Sequence, residues 1–387
     1  MLQNESKVYL EEKLIPFWNS MIDKTNGGFY GQLNFDLVLN KTAKKGCILN
    51  SRILWLYSNA YLTLGDKSYL EYARHSFDFM RKYFVDKEYD GLYWSVNFDG
   101  TPNETLKHTY NFSFGLYALS SYYIASKDEN AKILADNIFN LIETKCKAPI
   151  GYFEAFTRDF KPEINEELSE NGVIATRTMN TLLHVIESYN EYYLATKNNK
   201  VKQACEEILK TFENYVFEKD NDKLGVFFND DFEQIIDLNS YGHDIEASWL
   251  LDKACEIIDD KDLAKRVTGF NSKIANRTLK VAFENSALNN EVENGVVDKT
   301  RVWWVQAESI LGFINEYEKN GDEKFLTSAN EIWEYVKKYF VDNRPHSEWY
   351  SEVTFEGEPI KKDIVNEWKC PYHNGRMLLE VIKRNQN

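Results

Sequence analysis

Over most of this chain apolar side chains recur three or four positions apart, the spacing that lines them along one face of an α-helix. Leu70, Ala73, Phe77 and Met80 form one such row, and Phe112, Leu116 and Leu119 another. The pattern predicts twelve helices, near residues 3–22, 46–64, 68–84, 106–126, 129–146, 173–196, 200–217, 243–259, 262–283, 300–318, 323–340 and 372–384. After every second helix it gives way to alternating aromatic and polar residues bounded by Gly and Asp. These segments are Gly27-Gly28-Phe29-Tyr30-Gly31, Gly91-Leu92-Tyr93-Trp94, Gly151-Tyr152-Phe153-Glu154, Gly225-Val226-Phe227-Phe228, a weaker Asn294-Gly295-Val296-Val297-Asp298, and Glu348-Trp349-Tyr350-Ser351. Such alternation suits a short hairpin-like excursion.

A helix pair with its excursion therefore returns about every 60 residues, a spacing that signals a repeat architecture. Six units cover nearly the whole chain, and no Pro/Ser-rich linker interrupts them. The expected architecture is one all-α domain over residues 1–387, an (α/α)6 barrel of twelve helices with short β-hairpin-like loops at one end. An open solenoid would show more regular repeats and polar caps. Because the excursions all follow odd-numbered helices, they should gather at one end. That end would be the mouth of a cavity lined by the even-numbered helices.

Composition adds what the cavity could hold. Aromatic residues make up 15% of the chain, with 24 Tyr, 24 Phe and 9 Trp. Part of that excess serves the core, and part suits a groove in which rings stack on the C–H faces of sugars. The net charge of −15 leaves no basic stripe for nucleic acid and disfavours an anionic membrane surface. The five cysteines form no CxxC pair, the N-terminus lacks a signal-peptide layout, and no apolar run approaches roughly 20 residues. A soluble, cytoplasmic protein is expected, and a monomer, since no apolar seam stands out.

Unusual polar residues collect on the even-numbered helices. They are Asn50-Ser51-Arg52, His108-Thr109-Tyr110, Arg177 with Asn180 and His184, Tyr241-Gly242-His243-Asp244-Ile245-Glu246, Arg301 to Glu308, and Trp368 to Asn374. His243 and Glu246, three apart, share a helix face. Histidine is the side chain best suited to moving protons near neutral pH. Each residue also has a structural reading. His243 and His373 could be helix-start residues, His184 a core histidine within Leu182–Ile186, and Arg52 and Glu246 members of buried salt bridges. Trp303 and Trp304 could be core. His75, beside Arg74 and Asp78, reads as surface, and His346 stays unassigned. No P-loop, GxGxxG, GxSxG, HExxH or CxxC occurs, so a zinc site built from His184, His243, His373 and Glu246 has no motif behind it. No metal and no cofactor are expected.

Three blocks, Gly242 to Leu251, Trp303 to Glu308 and Trp368 to Asn374, resemble the cellobiose 2-epimerase family of the wider N-acylglucosamine 2-epimerase superfamily. The resemblance spans essentially the whole chain. It implies an (α/α)6 barrel, in agreement with the repeat. It also implies His243 and His373 as catalytic acid and base, His184 in ring opening or intermediate stabilisation, and Arg52 on an enediolate. Tyr110, Asn180, Glu246, Trp304 (or the adjacent Trp303), Glu308 and Trp368 would contact the sugar, and Glu246 could orient His243 or raise its basicity. The implied reaction interconverts glucose and mannose at the reducing end of a β-1,4-linked disaccharide of the cellobiose, lactose or mannobiose class. Rival expectations are an N-acylglucosamine 2-epimerase or mannose isomerase, an inverting glycosidase using Glu246 and Glu308, and a non-catalytic oligosaccharide-binding protein.

Overall fold

The computed structural model describes residues 2–165 and 172–384, and twelve helices among them follow the predicted order. They are α1 (2–20), α2 (Cys47–Leu64), α3 (67–84), α4 (Thr109–Ser126), α5 (129–146), α6 (Met179–Thr196), α7 (199–216), α8 (Tyr241–Ile257), α9 (Lys261–Ala282), α10 (Trp303–Asn320), α11 (323–340) and α12 (His373–Arg384). Each even-numbered helix packs on the next, α2 on α4 and so on to α12, which packs back on α2. The odd-numbered helices lie outside, each against an inner partner, with α1 covering α12. The ring is closed: the fold is an (α/α)6 barrel and not an open solenoid.

The sequence explains which helix goes where. Helix α4 buries Phe112, Phe114, Leu116 and Leu119 together with Ser113, Ser120 and Ser121, so it is enclosed on all sides. Helix α7 buries only one stripe, Val201, Ala204, Cys205, Ile208 and Leu209. In four units the inner and outer helices are joined by two residues. These are Gly65-Asp66, Lys127-Asp128, Lys197-Asn198 and Gly321-Asp322; the first of each pair is left-handed, and the second caps the outer helix through its side chain.

The excursions are hairpin-like as expected, and they do more than the expectation held. Each folds back on itself, through Gln32–Leu33 with Leu39–Asn40, Val96 with Pro102, Ala155–Phe156 with Pro162–Glu163, Phe228 with Gln234, Glu291–Glu293 with Val296–Asp298 and Val353 with Pro359, and each also pairs with a neighbouring unit. Lys45–Gly46 pairs with Ser95–Val96, Lys107–His108 with Ala155–Phe156, and Arg177–Thr178 with Phe227–Phe228. Leu238–Ser240 pairs with Glu291–Glu293, Arg301–Val302 with Glu352–Val353, and a bridge between Leu33 and Val365 closes this second ring. Residues just before the inner helices are thus spent on strands, and α4, α6 and α10 begin later than periodicity suggests. The weak motif at 294–298 makes the most regular hairpin, because Asn294 and Gly295 both take the positive φ of a type I′ turn. Buried ion pairs fasten the ring: Lys45 to Asp23 at 2.8 Å, Lys107 to Asp86 at 2.9 Å and Lys369 to Glu348 at 2.8 Å. His75 is not a surface residue as expected; it is partly buried, with Nε2 2.9 Å from the Gly28 carbonyl. The strand ring thereby holds the N-terminal ends of all six inner helices at one end of the barrel.

Candidate active site

The polar residues singled out above converge at that end in two layers, one helical turn apart. The outer layer takes the first residues of the inner helices: Tyr110 on α4, Asn180 on α6, His243 on α8, Trp304 on α10 and His373 on α12. The deeper layer holds Arg52 on α2, His184 on α6, Glu246 on α8 and Glu308 on α10. Asn180, His243, Trp304 and Trp368 keep partial exposure, so the cluster is reached from the strand-bearing end. A cleft of about 850 Å³ lined by Tyr335, Tyr339 and Phe355 shares no residue with it.

Each histidine is held through Nδ1. His373 Nδ1 lies 2.7 Å from Glu308 Oε1, His184 Nδ1 2.8 Å from Glu187 Oε2, and His243 Nδ1 2.8 Å from the Ser240 hydroxyl. A carboxylate, when ionised, only accepts; facing one, His373 and His184 would carry their proton on Nδ1 and keep the Nε2 lone pair free. A hydroxyl can donate or accept, so His243 is free to use either tautomer. Trp304 joins the two outer histidines, its ring 4.7 Å from His243 and 5.5 Å from His373. Gly242 makes room for it: a Cβ there would stand 2.5 Å from the Trp304 ring and 2.7 Å from Val305. This glycine lies inside α8, one residue past its start, and serves close packing.

Arg52 is 3% exposed, with its guanidinium 4.1 Å from the Phe114 ring and 4.8 Å from that of Tyr372. It donates to the Tyr110 hydroxyl at 3.0 Å and to the Trp368 carbonyl at 3.4 Å, and its buried Nε has no partner. Tyr110 packs edge-on against His184 at 5.2 Å, and Trp368 lies 5.9 Å from Tyr110 and 5.8 Å from Trp94. Buried Asn180 Oδ1 is also without a partner. Trp303, by contrast, is 9% exposed and packs under Lys369 as part of the wall.

Two expectations need correction. Glu246 does not orient His243; its Oε1 accepts from Arg376 while its buried Oε2 has no partner. Burial, then the neighbouring Glu308 charge, pushes its carboxyl up to about 7. Glu308 is not a free sugar ligand either, because it is fully buried between His373, Trp249 Nε1 at 3.1 Å and Arg376 at 2.7 Å. The two carboxylates share one guanidinium nitrogen, and their oxygens lie within 4.8 Å of each other and of a His373 nitrogen. Inverting glycosidases hold theirs roughly 6.5–9.5 Å apart across the scissile bond. A cation would suit this trio, but the Arg376 guanidinium already fills that place. Sequence reasoning missed Arg376, Glu187 and Ser240, although Glu187 and Ser240 each stand three residues from their histidine, the same spacing as His243 and Glu246.

Burial shapes the proton chemistry. It pushes His243 down to about 3 and takes His373 well below its ordinary value, helped in the latter by Arg52 and Arg376. Buried His108, its ring tilted against that of Trp94 at 4.5 Å, is pushed down to about 4 by burial. All three are neutral at pH 7 when folded, whereas in the unfolded chain they bind protons near 6.5. The stability this confers is complete above about pH 6.5 and is lost as pH falls toward 4 and then 3. Melting temperature is therefore expected to drop as pH is lowered from 6.5 to 4. In a His108→Phe variant the decline should be shallower; an unchanged slope would show that His108 contributes nothing to it.

Comparison with known proteins adds to this geometry. A family model described as N-acylglucosamine 2-epimerase (GlcNAc 2-epimerase) matches residues 28–374. The chain is 50% identical over 385 residues to a cellobiose 2-epimerase of Ruminococcus albus, with 99% of both chains covered. The solved structure of the cellobiose 2-epimerase from Bacillus thermoamylovorans B4167 superposes with a TM-score of 0.96 at 44% identity, over 98% of both chains. A D-mannose isomerase structure, 19% identical with a TM-score of 0.84 over 99% of this chain and 98% of its own, shares the fold.

Proposed function

The chain belongs to the N-acylglucosamine 2-epimerase family, and from that premise we propose that it epimerises carbon 2 of the reducing-end glucose of β-1,4-linked disaccharides, cellobiose and lactose among them. The observation that carries the reading is the convergence of His184, His243, His373 and Arg52, from four inner helices, on one aromatic-walled cluster. His184 moves the proton that opens and recloses the sugar ring, since only the free aldehyde acidifies the carbon-2 hydrogen. One of His243 and His373 takes that hydrogen as a proton. The C–H electron pair becomes the C1=C2 bond, and the carbonyl pair moves onto oxygen 1. The other histidine returns a proton to the opposite face and restores the aldehyde. Burial and two guanidiniums hold His373 neutral. An enediolate oxyanion alongside reverses that balance and favours the imidazolium. These steps move protons only and call for no cofactor.

Trp304 and Trp368 offer rings to the sugar, and Asn180 and Tyr110 offer polar contacts. The paired, deeply buried Glu246 and Glu308 argue against hydrolysis. The five cysteines are free and buried, which suits a reducing cytoplasm, and no described helix is long and apolar enough to cross a membrane. The exposed large apolar residues, such as Val8, Ile133 and Val296, are scattered along the chain, which suits a monomer.

Cellobiose incubated with the protein in D₂O is expected to yield glucosyl-mannose with deuterium at carbon 2, seen by NMR. Folded protein that gives neither epimer nor exchange would sink the reading. Free glucose would select hydrolysis, and calorimetric binding without exchange would select a sugar-binding role.

A further inference from the structure

One deeply buried side chain stands behind that cluster. Arg376, three residues after His373 on α12, is 1% exposed. One terminal nitrogen donates to Glu187 Oε1 on α6 and to the Tyr372 hydroxyl. The other donates to Glu246 Oε1 on α8 and, at 2.7 Å, to Glu308 Oε1 on α10. The rings of Tyr372 at 4.3 Å and Trp249 at 4.8 Å cover the guanidinium. A single cation thus ties four of the six inner helices together. Two of its carboxylates are the ones that hold His184 and His373 by Nδ1.

We propose that Arg376 is a positioning residue that keeps Glu187 and Glu308 ionised and thereby fixes both His184 and His373 as Nδ1–H tautomers, with Nε2 free to take a proton. The inference rests on the epimerase reading of the site. Its physical basis is the sign of the hydrogen bond. A carboxylate can only accept from Nδ1, but a neutral carboxyl can donate to it, which moves the ring proton to Nε2 and removes the base. Glu187, Glu246 and Glu308 sit together in a buried place where each raises the proton affinity of the others. Burial would raise Glu187, yet Arg376, then His184 and Tyr372, hold it at about 2. Glu308 is raised by burial and by the Glu187 charge, with Arg376 the largest opposing influence. The groups that bear on His373 are Glu308, Glu246 at 3.9 Å, Arg52, Arg376, His184 and His243. Those that touch His184 are Glu187, Tyr110, Phe114 and Tyr372.

The test is nitrogen-15 NMR of histidine-labelled full-length protein, with kinetics alongside. In the unsubstituted chain His184 and His373 should both show a protonated Nδ1. In Arg376→Met at least one should move its proton to Nε2, and kcat should fall by about 10²-fold, the lower end for a lost general base, while KM changes less than about threefold. Unchanged Nδ1–H signals for both histidines in the folded variant would overturn the proposal. If the methionine variant does not fold, Arg376→Lys keeps the charge at a single point that cannot span Glu187 and Glu308. One histidine should then keep its Nδ1–H and the other lose it; both unchanged would again overturn the proposal. The NMR readout needs no turnover, so its failure is distinct from failure of the epimerase reading, which unsubstituted protein with cellobiose in D₂O tests.

Discussion

His373→Ala is expected to lose epimer formation and carbon-2 deuterium exchange by about 10²- to 10⁴-fold, the range that positioned acid–base groups contribute, while the barrel stays folded. The fold should survive because the histidine stands at the very start of α12 and its partner is not orphaned. Glu308 keeps Trp249 Nε1 at 3.1 Å and Arg376 at 2.7 Å when the imidazole goes. Circular dichroism and a melting curve close to the parent would establish that, and exchange in D₂O would be read on the same sample. His243→Ala should behave alike, with its Ser240 contact the only hydrogen bond forfeited at Nδ1. Near-normal exchange in either folded variant would remove that histidine from the mechanism.

Arg52→Lys is expected to be almost as damaging as Arg52→Ala, each lowering kcat by about 10²- to 10³-fold, the effect of losing an oxyanion donor. A lysine keeps the charge but cannot lie as a flat cation between the Phe114 and Tyr372 rings while also donating to Tyr110 and the Trp368 carbonyl. The unpartnered buried Nε of Arg52 is a donor not committed to the protein. Because the oxyanion exists only after proton removal, kcat should suffer far more than KM. Steady-state kinetics on cellobiose would separate the two. An Arg52→Lys enzyme with kcat within about threefold of the parent would show that no bidentate or stacked cation is needed there.

Much of this was legible in residue order. The three-to-four spacing placed all twelve helices, and the recurring glycine–aromatic segments counted the six units. Polar residues on alternate helices marked the inner wall, and His184, His243, His373 and Arg52 do meet there. What escaped is what lies across the barrel axis. His243 and Glu246 share a helix face, yet Ser240 takes the histidine and Arg376, from a helix two places round the ring, takes the glutamate. The same three-residue spacing in His184 and Glu187 does make a bond. Spacing alone cannot tell the two cases apart, because it fixes which side chains can meet and not which competitor lies nearer.

The sequence by itself determined the helices, their pairing into six units, which of them are enclosed on all sides, and which carry chemistry-bearing residues. These follow from local periodicity, from the Gly-Asp and Lys-Asp links that turn the chain, and from the burial demanded by apolar faces. Only the tertiary structure decided that the excursions pair between units, that Gly242 serves the Trp304 ring, and that Glu308 rather than Glu246 stands behind His373. Each of those depends on atoms far apart in sequence and packed together by ring closure, where small differences in distance choose the hydrogen-bond partner and with it the tautomer of the catalytic imidazole.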